Sequence, residues 1–194
     1  MLYIGTSGYS FKEWVGPFYP AKTPGKKYLA FYASLLKTVE INHTFRRFPT
    51  RELTTSWAAE TPESFKFSVK IHQSITHQAR LKDVGASVKD FLRGLDPLGP
   101  RLGVILFQLP PYFPANLERL EKLLTELPTD RKFAFEFPHP SWDGPKTVDF
   151  LREAGTALCF AEVEIGGEIQ PITPSRNFLN GSPRPREKGK STST

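Results

Sequence analysis

Little in this sequence advertises a disulfide scaffold, a membrane span or a nucleotide cradle. Its 194 residues include one methionine and one cysteine. The lone Cys159, inside the apolar run Ala157-Leu158-Cys159-Phe160, excludes an intrachain disulfide and fits a reducing cytoplasm. It reads as a buried, inert thiol. No apolar run reaches the roughly 20 residues that a bilayer demands, so no membrane partner is expected. The start, Met1-Leu2-Tyr3-Ile4-Gly5-Thr6, has no basic region before its short apolar run and is not expected to be a secretory signal. The one glycine-bounded turn after such a run, Gly5-Thr6-Ser7-Gly8, matches neither GxGxxG nor the P-loop.

Positive charge is present but badly placed for nucleic acid. From Pro174 onward there are five basic residues (Arg176, Arg184, Arg186, Lys188, Lys190) and one acidic (Glu187), which is +4 of the total +6. The body, at +2, lacks the basic face of a nucleic-acid binder. What the chain does have is core material, with 39% hydrophobic and 13% aromatic residues, enough for one domain or a large part of one.

Strand and helix patterns alternate along the chain. Leu2-Tyr3-Ile4-Gly5 reads as a first strand, followed by an aromatic loop with Tyr9, Phe11, Trp14, Phe18 and Tyr19. Tyr28, Leu29, Tyr32, Leu35 and Leu36 fall on one helical face. Strands then follow at 38–42, 65–70, 103–108, 133–137 and 156–161. Between them lie a helix capped by Thr50, a stripe of Val84, Val88, Phe91, Leu92 and Leu95, and a stripe of Leu117, Leu120, Leu124 and Leu127 with an i,i+4 pair of Glu118 and Lys122. A last helix opens at Asp143-Gly144-Pro145 and ends at Gly155. One unit about every 30 residues predicts βαβ units and a parallel sheet.

Two architectures fit that pattern, a TIM-like (β/α) barrel and an open doubly wound α/β sheet. In a barrel, the C-terminal strand ends form one functional rim. Those ends here carry Thr6 and Ser7, Glu40 and Asn42, Lys70, Gln108, Glu136 and Glu162. Eight strands need about 250 residues. After six, the pattern gives way at Ile165 to paired glycines, prolines and a Ser/Arg/Lys-rich end. We therefore expect a partial barrel domain over 1–164 and an irregular, disordered basic tail over 165–194. A barrel left unclosed predicts oligomers or aggregates.

Specific motifs sharpen the expectation. They are Tyr3-Ile4-Gly5-Thr6-Ser7-Gly8-Tyr9-Ser10 with Trp14 and Phe18-Tyr19-Pro20; Thr38-Val39-Glu40-Ile41-Asn42 with Thr44-Phe45; Phe67-Ser68-Val69-Lys70 with Ile75-Thr76-His77; Leu106-Phe107-Gln108-Leu109-Pro110-Pro111; and Phe135-Glu136-Phe137 with His139-Pro140-Ser141-Trp142. As a set, over about residues 2 to 162, they resemble the YecE-like family, domain of unknown function 72. The resemblance implies a TIM-like barrel with these motifs on its C-terminal rim and an ending beyond Glu164 unlike this one, as in a truncated or frameshifted product. It implies no established reaction.

The chemistry expected of the rim follows from its residue types. Glu40, Lys70, Glu136 and His139 are the candidate catalytic groups. Thr6, Ser7, Tyr9, Trp14, Asn42, His77, Gln108 and Trp142 are the candidate substrate-binding groups. Carboxylates across a cleft suit hydrolysis of a glycosidic or similar bond. With His77 and His139 they could instead ligate a divalent metal. Lys70 could hold a phosphate or carboxylate, or pair with a glutamate. The expectation is an enzyme for a small polar or phosphorylated substrate; the alternatives are a non-catalytic module whose aromatic loop stacks on a ligand ring, or an inactive truncated product.

Overall fold

A computed structural model describes residues 2–165 and 168–172, with side chains to residue 161. Five strands, β1 (Thr38–Ile41), β2 (Lys66–Lys70), β3 (Leu102–Gln108), β4 (Lys132–Glu136) and β5 (Ala157–Leu158), form one sheet. All four neighbouring pairs are parallel, and the spatial order equals the chain order. The architecture is α/β, and the sheet is open among the described residues. Its order has no reversal of the kind that divides a doubly wound sheet.

Helix α1 (Tyr28–Leu35) precedes β1, and each of β1 to β4 is followed by helix: α2 (His43–Arg46), α3 (Arg51–Ala59), α4 (Gly85–Leu95), α5 (Leu117–Glu126) and α6 (Pro145–Glu153). Thr50 caps α3 as expected, its Oγ1 accepting from Leu53 N–H at 3.3 Å. Lys122 does not pair with Glu118 within α5; it reaches Asp83 at 2.6 Å. Gly155, at φ 63°, stops α6. Gly94 lets α4 approach the backbone of Pro49, where a Cβ would lie 2.1 Å from the carbonyl oxygen.

Right-handed crossovers repeated in one direction place their helices on one side of a sheet. The core reflects this. Val39 and Ile41, Phe67 and Val69, Ile105 and Phe107, Phe133 and Phe135 join helix residues such as Tyr32, Trp57, Phe91, Leu120 and Leu151 in a single buried cluster. The alternate residues, Glu40, Ser68, Lys70, Val104, Leu106, Gln108, Ala134 and Glu136, face the other way and lie outside that cluster.

Two expected strands changed. Leu2 to Gly5 forms none, and Leu2 and Ile4 are exposed. The neighbouring segment does begin a ladder on β1: Glu40 N–H donates to Thr6 O (3.0 Å) and Gly8 N–H to Glu40 O (2.9 Å). The next ladder bond is interrupted by Tyr32. Its hydroxyl accepts from Thr6 N–H (2.8 Å) and donates to Thr38 O (3.0 Å), standing where Thr6 and Thr38 would otherwise pair. The other change is at 156–161, where only Ala157 and Leu158 pair with β4. The chain then enters an antiparallel hairpin of β6 (Ala161–Ile165) and β7 (Glu168–Ile172). The expected six barrel strands are thus five in an open sheet. Apart from β7, the tail expected beyond residue 165 falls outside the described residues.

Candidate functional site

A parallel sheet puts the C-terminal end of every strand on one edge, and period-two alternation decides which face each terminal side chain takes. Gln108 lies in register with Glu136, Lys70 with Leu106, and Glu40 with Ser68. Glu40, Lys70, Gln108 and Glu136 therefore share one edge and the face turned away from the core cluster. Glu136 is buried and accepts from Gln108 Nε2 at 2.8 Å. Glu40, half-buried, accepts from Ser7 Oγ at 3.1 Å, and Ser7 in turn accepts from Asn42 Nδ2 at 2.5 Å. Each carboxylate thus receives a fixed amide-derived or relayed donor, which orients it.

Lys70 forms no ion pair with either glutamate among the described residues. Its Nζ stands 5.6 Å from the centre of the Phe45 ring. Arg46 approaches the same ring to 5.7 Å, and His77 meets it edge-on at 4.9 Å. His77 is presented by a single π-helical turn, Ser74–Gln78, and its Nδ1 is bonded to Thr76 Oγ1 at 2.9 Å. Burial and then the nearby Lys70 charge lower the His77 pKa below its ordinary value. Just beyond the turn, Arg80, Leu81 and Asp83 all have positive φ, between 47° and 65°. Such strain in non-glycine residues collects at functional sites.

Cys159 is the residue that sequence reading misplaced. Its N–H donates to Phe135 O at 2.7 Å, which carries it past the end of β5 to the level of Glu136. It is half-buried rather than part of the core. Burial pushes its thiol up to about 11, with Glu136 and Glu40 adding to the rise and Lys70 opposing it. One sulfur thus feels all three charged rim residues. The signal was available: alternation gives Ala157 and Cys159 the parity of Ala134 and Glu136.

Other expected site residues have structural work. Thr6 is bound to Tyr32, its Oγ1 also donating to Gly8 O at 2.6 Å. Trp14 packs on Phe11 and Phe18, at 4.7 and 5.3 Å. Trp142 is buried, stacks on Phe137 at 4.5 Å and donates from Nε1 to Phe113 O at 2.9 Å. His139 caps the turn Pro140–Trp142. Its Nδ1 accepts from Ser141 N–H at 3.2 Å and lies 2.9 Å from Ser141 Oγ. Among the described residues, no three His, Cys, Asp or Glu side chains converge closely enough to hold a metal ion.

Beyond the β1 edge lies a cleft of about 570 Å³, walled by Phe11, Ile41, Leu53 and Trp57 with Ser7 and Asn42 at its polar side. Tyr9 also lines it; burial first, then Glu60, raises the Tyr9 pKa, against a hydrogen bond to Trp57. Of the aromatic loop, Tyr9 and Phe11 reach this cleft, whereas Tyr19 is fully buried and stacks on Tyr28 at 4.3 Å.

A family model described as protein of unknown function DUF72 matches residues 3–190. The UPF0759 protein YecE of Escherichia coli (strain K12) is 34% identical over 143 residues, 73% of this chain and 50% of that protein. The UPF0759 protein YunF of Bacillus subtilis (strain 168) is 30% identical over 167 residues, 80% of this chain and 58% of that one. The chain thus spans about half the length of the curated relatives it matches. A crystal structure of a DUF72 family protein from Thermotoga maritima MSB8 superposes with a TM-score of 0.72 at 35% identity, covering 81% of this chain and 64% of that one. A DUF72 family protein from Enterococcus faecalis V583 has the same fold at 23% identity and a TM-score of 0.72, covering 90% of this chain and 66% of that one.

Proposed function

The chain belongs to the DUF72 family, whose function is unknown, and we propose that it is an acid–base enzyme acting on a small polar or phosphorylated substrate at the C-terminal edge of its sheet. In this reading β1 to β5 are an arc of a TIM-like barrel, and the face turned away from the core cluster is the barrel interior. The consecutive strand order supports the arc. The observation that carries the function is the carboxylate Glu136, buried at a strand end, pre-oriented by Gln108, with Glu40 on the same edge. A buried carboxylate with one fixed donor is held in place for proton transfer, and general acid–base groups of this kind contribute about 10²–10⁴-fold. Glu136 is the proton-transferring group, Glu40 its partner and Lys70 the substrate-holding cation. His139, held by its turn, keeps Nε2 available. A single thiol fits a cytoplasmic site of action.

The test is an unbiased screen. Wild-type protein and Glu136→Gln are incubated with a metabolite extract and followed by mass spectrometry. Wild type should convert at least one compound, and the variant should do so at least about 100-fold more slowly. Equal conversion by both would reject the reading. A binding module without chemistry is the second reading, supported by the cleft at Ser7, Phe11 and Trp57. It expects compounds retained by the protein and recovered unchanged.

A further inference from the structure

Resting on that acid–base reading, we propose that Lys70 and Arg46, over the ring of Phe45, form the subsite for a phosphate monoester group of the substrate. Two cations approach one aromatic ring, with Lys70 Nζ at 5.6 Å and Arg46 Cζ at 5.7 Å from its centre. Neither forms an ion pair among the described residues, although this same protein pairs Arg51, Arg93, Lys122, Arg131 and Arg152 with carboxylates. The ring is an apolar platform that orients both charges without neutralising them. Lys70 is half-buried at the end of β2, on the face that bears Glu40 and Glu136. Arg46 is exposed at the end of α2. One cation therefore comes from the end of a strand and the other from the short helix that follows β1.

The charge count selects the ligand. A carboxylate would leave one of the two cations unsatisfied. A phosphate monoester carries about −1.5 to −2 at neutral pH, with three acceptor oxygens. Arginine supplies a fork of donors and lysine a compact charge, a combination that suits tetrahedral phosphate. His77 sits against the same ring at 4.9 Å, its Nδ1 bonded to Thr76 Oγ1 at 2.9 Å. The segment that follows ties back to the turn bearing His77, Leu81 N–H donating to Ile75 O at 3.0 Å. The arrangement separates two tasks. The substrate is anchored by its phosphate at β2 and α2, and is processed at the carboxylates of β1 and β4.

The experiment is an NMR titration of the full chain with inorganic phosphate, and separately with acetate, reading the Phe45 amide and the His77 imidazole. Wild type should show saturable phosphate shifts and at least about tenfold weaker acetate binding. Lys70→Gln and Arg46→Gln should each weaken phosphate by at least about tenfold. Lys132→Gln, at the opposite end of β4, should bind like wild type. Arg46 is exposed, so its variant tests the idea even should Lys70→Gln perturb the fold. Glu136→Gln should bind phosphate at least as tightly as wild type, so failure of the acid–base reading and failure of this subsite give different results. Absence of saturable shifts in wild type, or unchanged affinity in both Lys70→Gln and Arg46→Gln, overturns the proposal.

Discussion

The two faces of the sheet are built from adjacent residues of the same strands and behave as different materials. Toward the helices, Val39, Phe67, Val69, Ile105, Phe107 and Phe135 have no solvent exposure. Phe107 stacks on Phe135 at 4.8 Å, and Trp57 on Phe67 at 5.8 Å. Toward the other side, Glu40, Ser68, Lys70, Val104 and Gln108 are half-buried, while Leu106, Ala134 and Glu136 are buried. Parallel sheets are usually covered on both faces. Here the face toward the helices supplies most of the buried core, and the other gathers the ionisable groups. The difference teaches that a Glu or Lys one residue from a fully buried Val belongs to another environment, and that strand parity rather than proximity in sequence assigns its role.

The sharpest attempt to break this comparison is to empty the helix side. Phe107→Ala should destabilise by about 3–5 kcal/mol in denaturant unfolding, because a large buried ring leaves a cavity. A loss below about 1 kcal/mol would mean that this face is not the core. A matched pair sharpens it further. Val69→Ala and Val104→Ala delete the same atoms from opposite faces of neighbouring strands. The first should lose about 1–2 kcal/mol, the second clearly less. Equal losses would show both faces equally packed.

Smaller effects report on the electrostatics of the open face. With its thiol pushed up to about 11, Cys159 should be alkylated near neutral pH about 100-fold more slowly than an ordinary thiol, with the rate still rising as pH increases. Glu136→Gln removes one of the charges that raise it and should accelerate labelling. An unchanged rate would separate the thiol from Glu136. The smallest effect is at His77. Its pKa is lowered by burial and then by Lys70, so on acidification the unfolded chain takes the proton first. The stability this group supports is present above the ordinary histidine value of about 6.5 and declines from there down to the folded value. Lys70→Gln should move the imidazole titration, followed by NMR, back toward the ordinary value and narrow that window. An unmoved titration would break the link between β2 and the His77 turn.

Alternation of apolar residues, the Thr50 cap, and the Gly144-Pro145 and Gly155 signals determined from the sequence alone that strands β1 to β4 and helices α3 to α6 would form. They did so because these are local choices of backbone and burial. The gathering of Glu40, Lys70, Gln108 and Glu136 on one edge was legible for the same reason, since parallel strands share an end. Only the tertiary structure decided the rest. The first strand failed because the Tyr32 hydroxyl, 26 residues away in sequence, takes the Thr6 N–H and breaks the ladder. Trp14 and Trp142 turned inward because neighbouring aromatic rings and the Phe113 carbonyl offered partners there. Lys70 met Phe45 instead of a glutamate, and Cys159 came to the rim beside Glu136. Such outcomes depend on which distant groups compete for one hydrogen bond, ring face or charge, and that competition takes place only once the chain has brought them together.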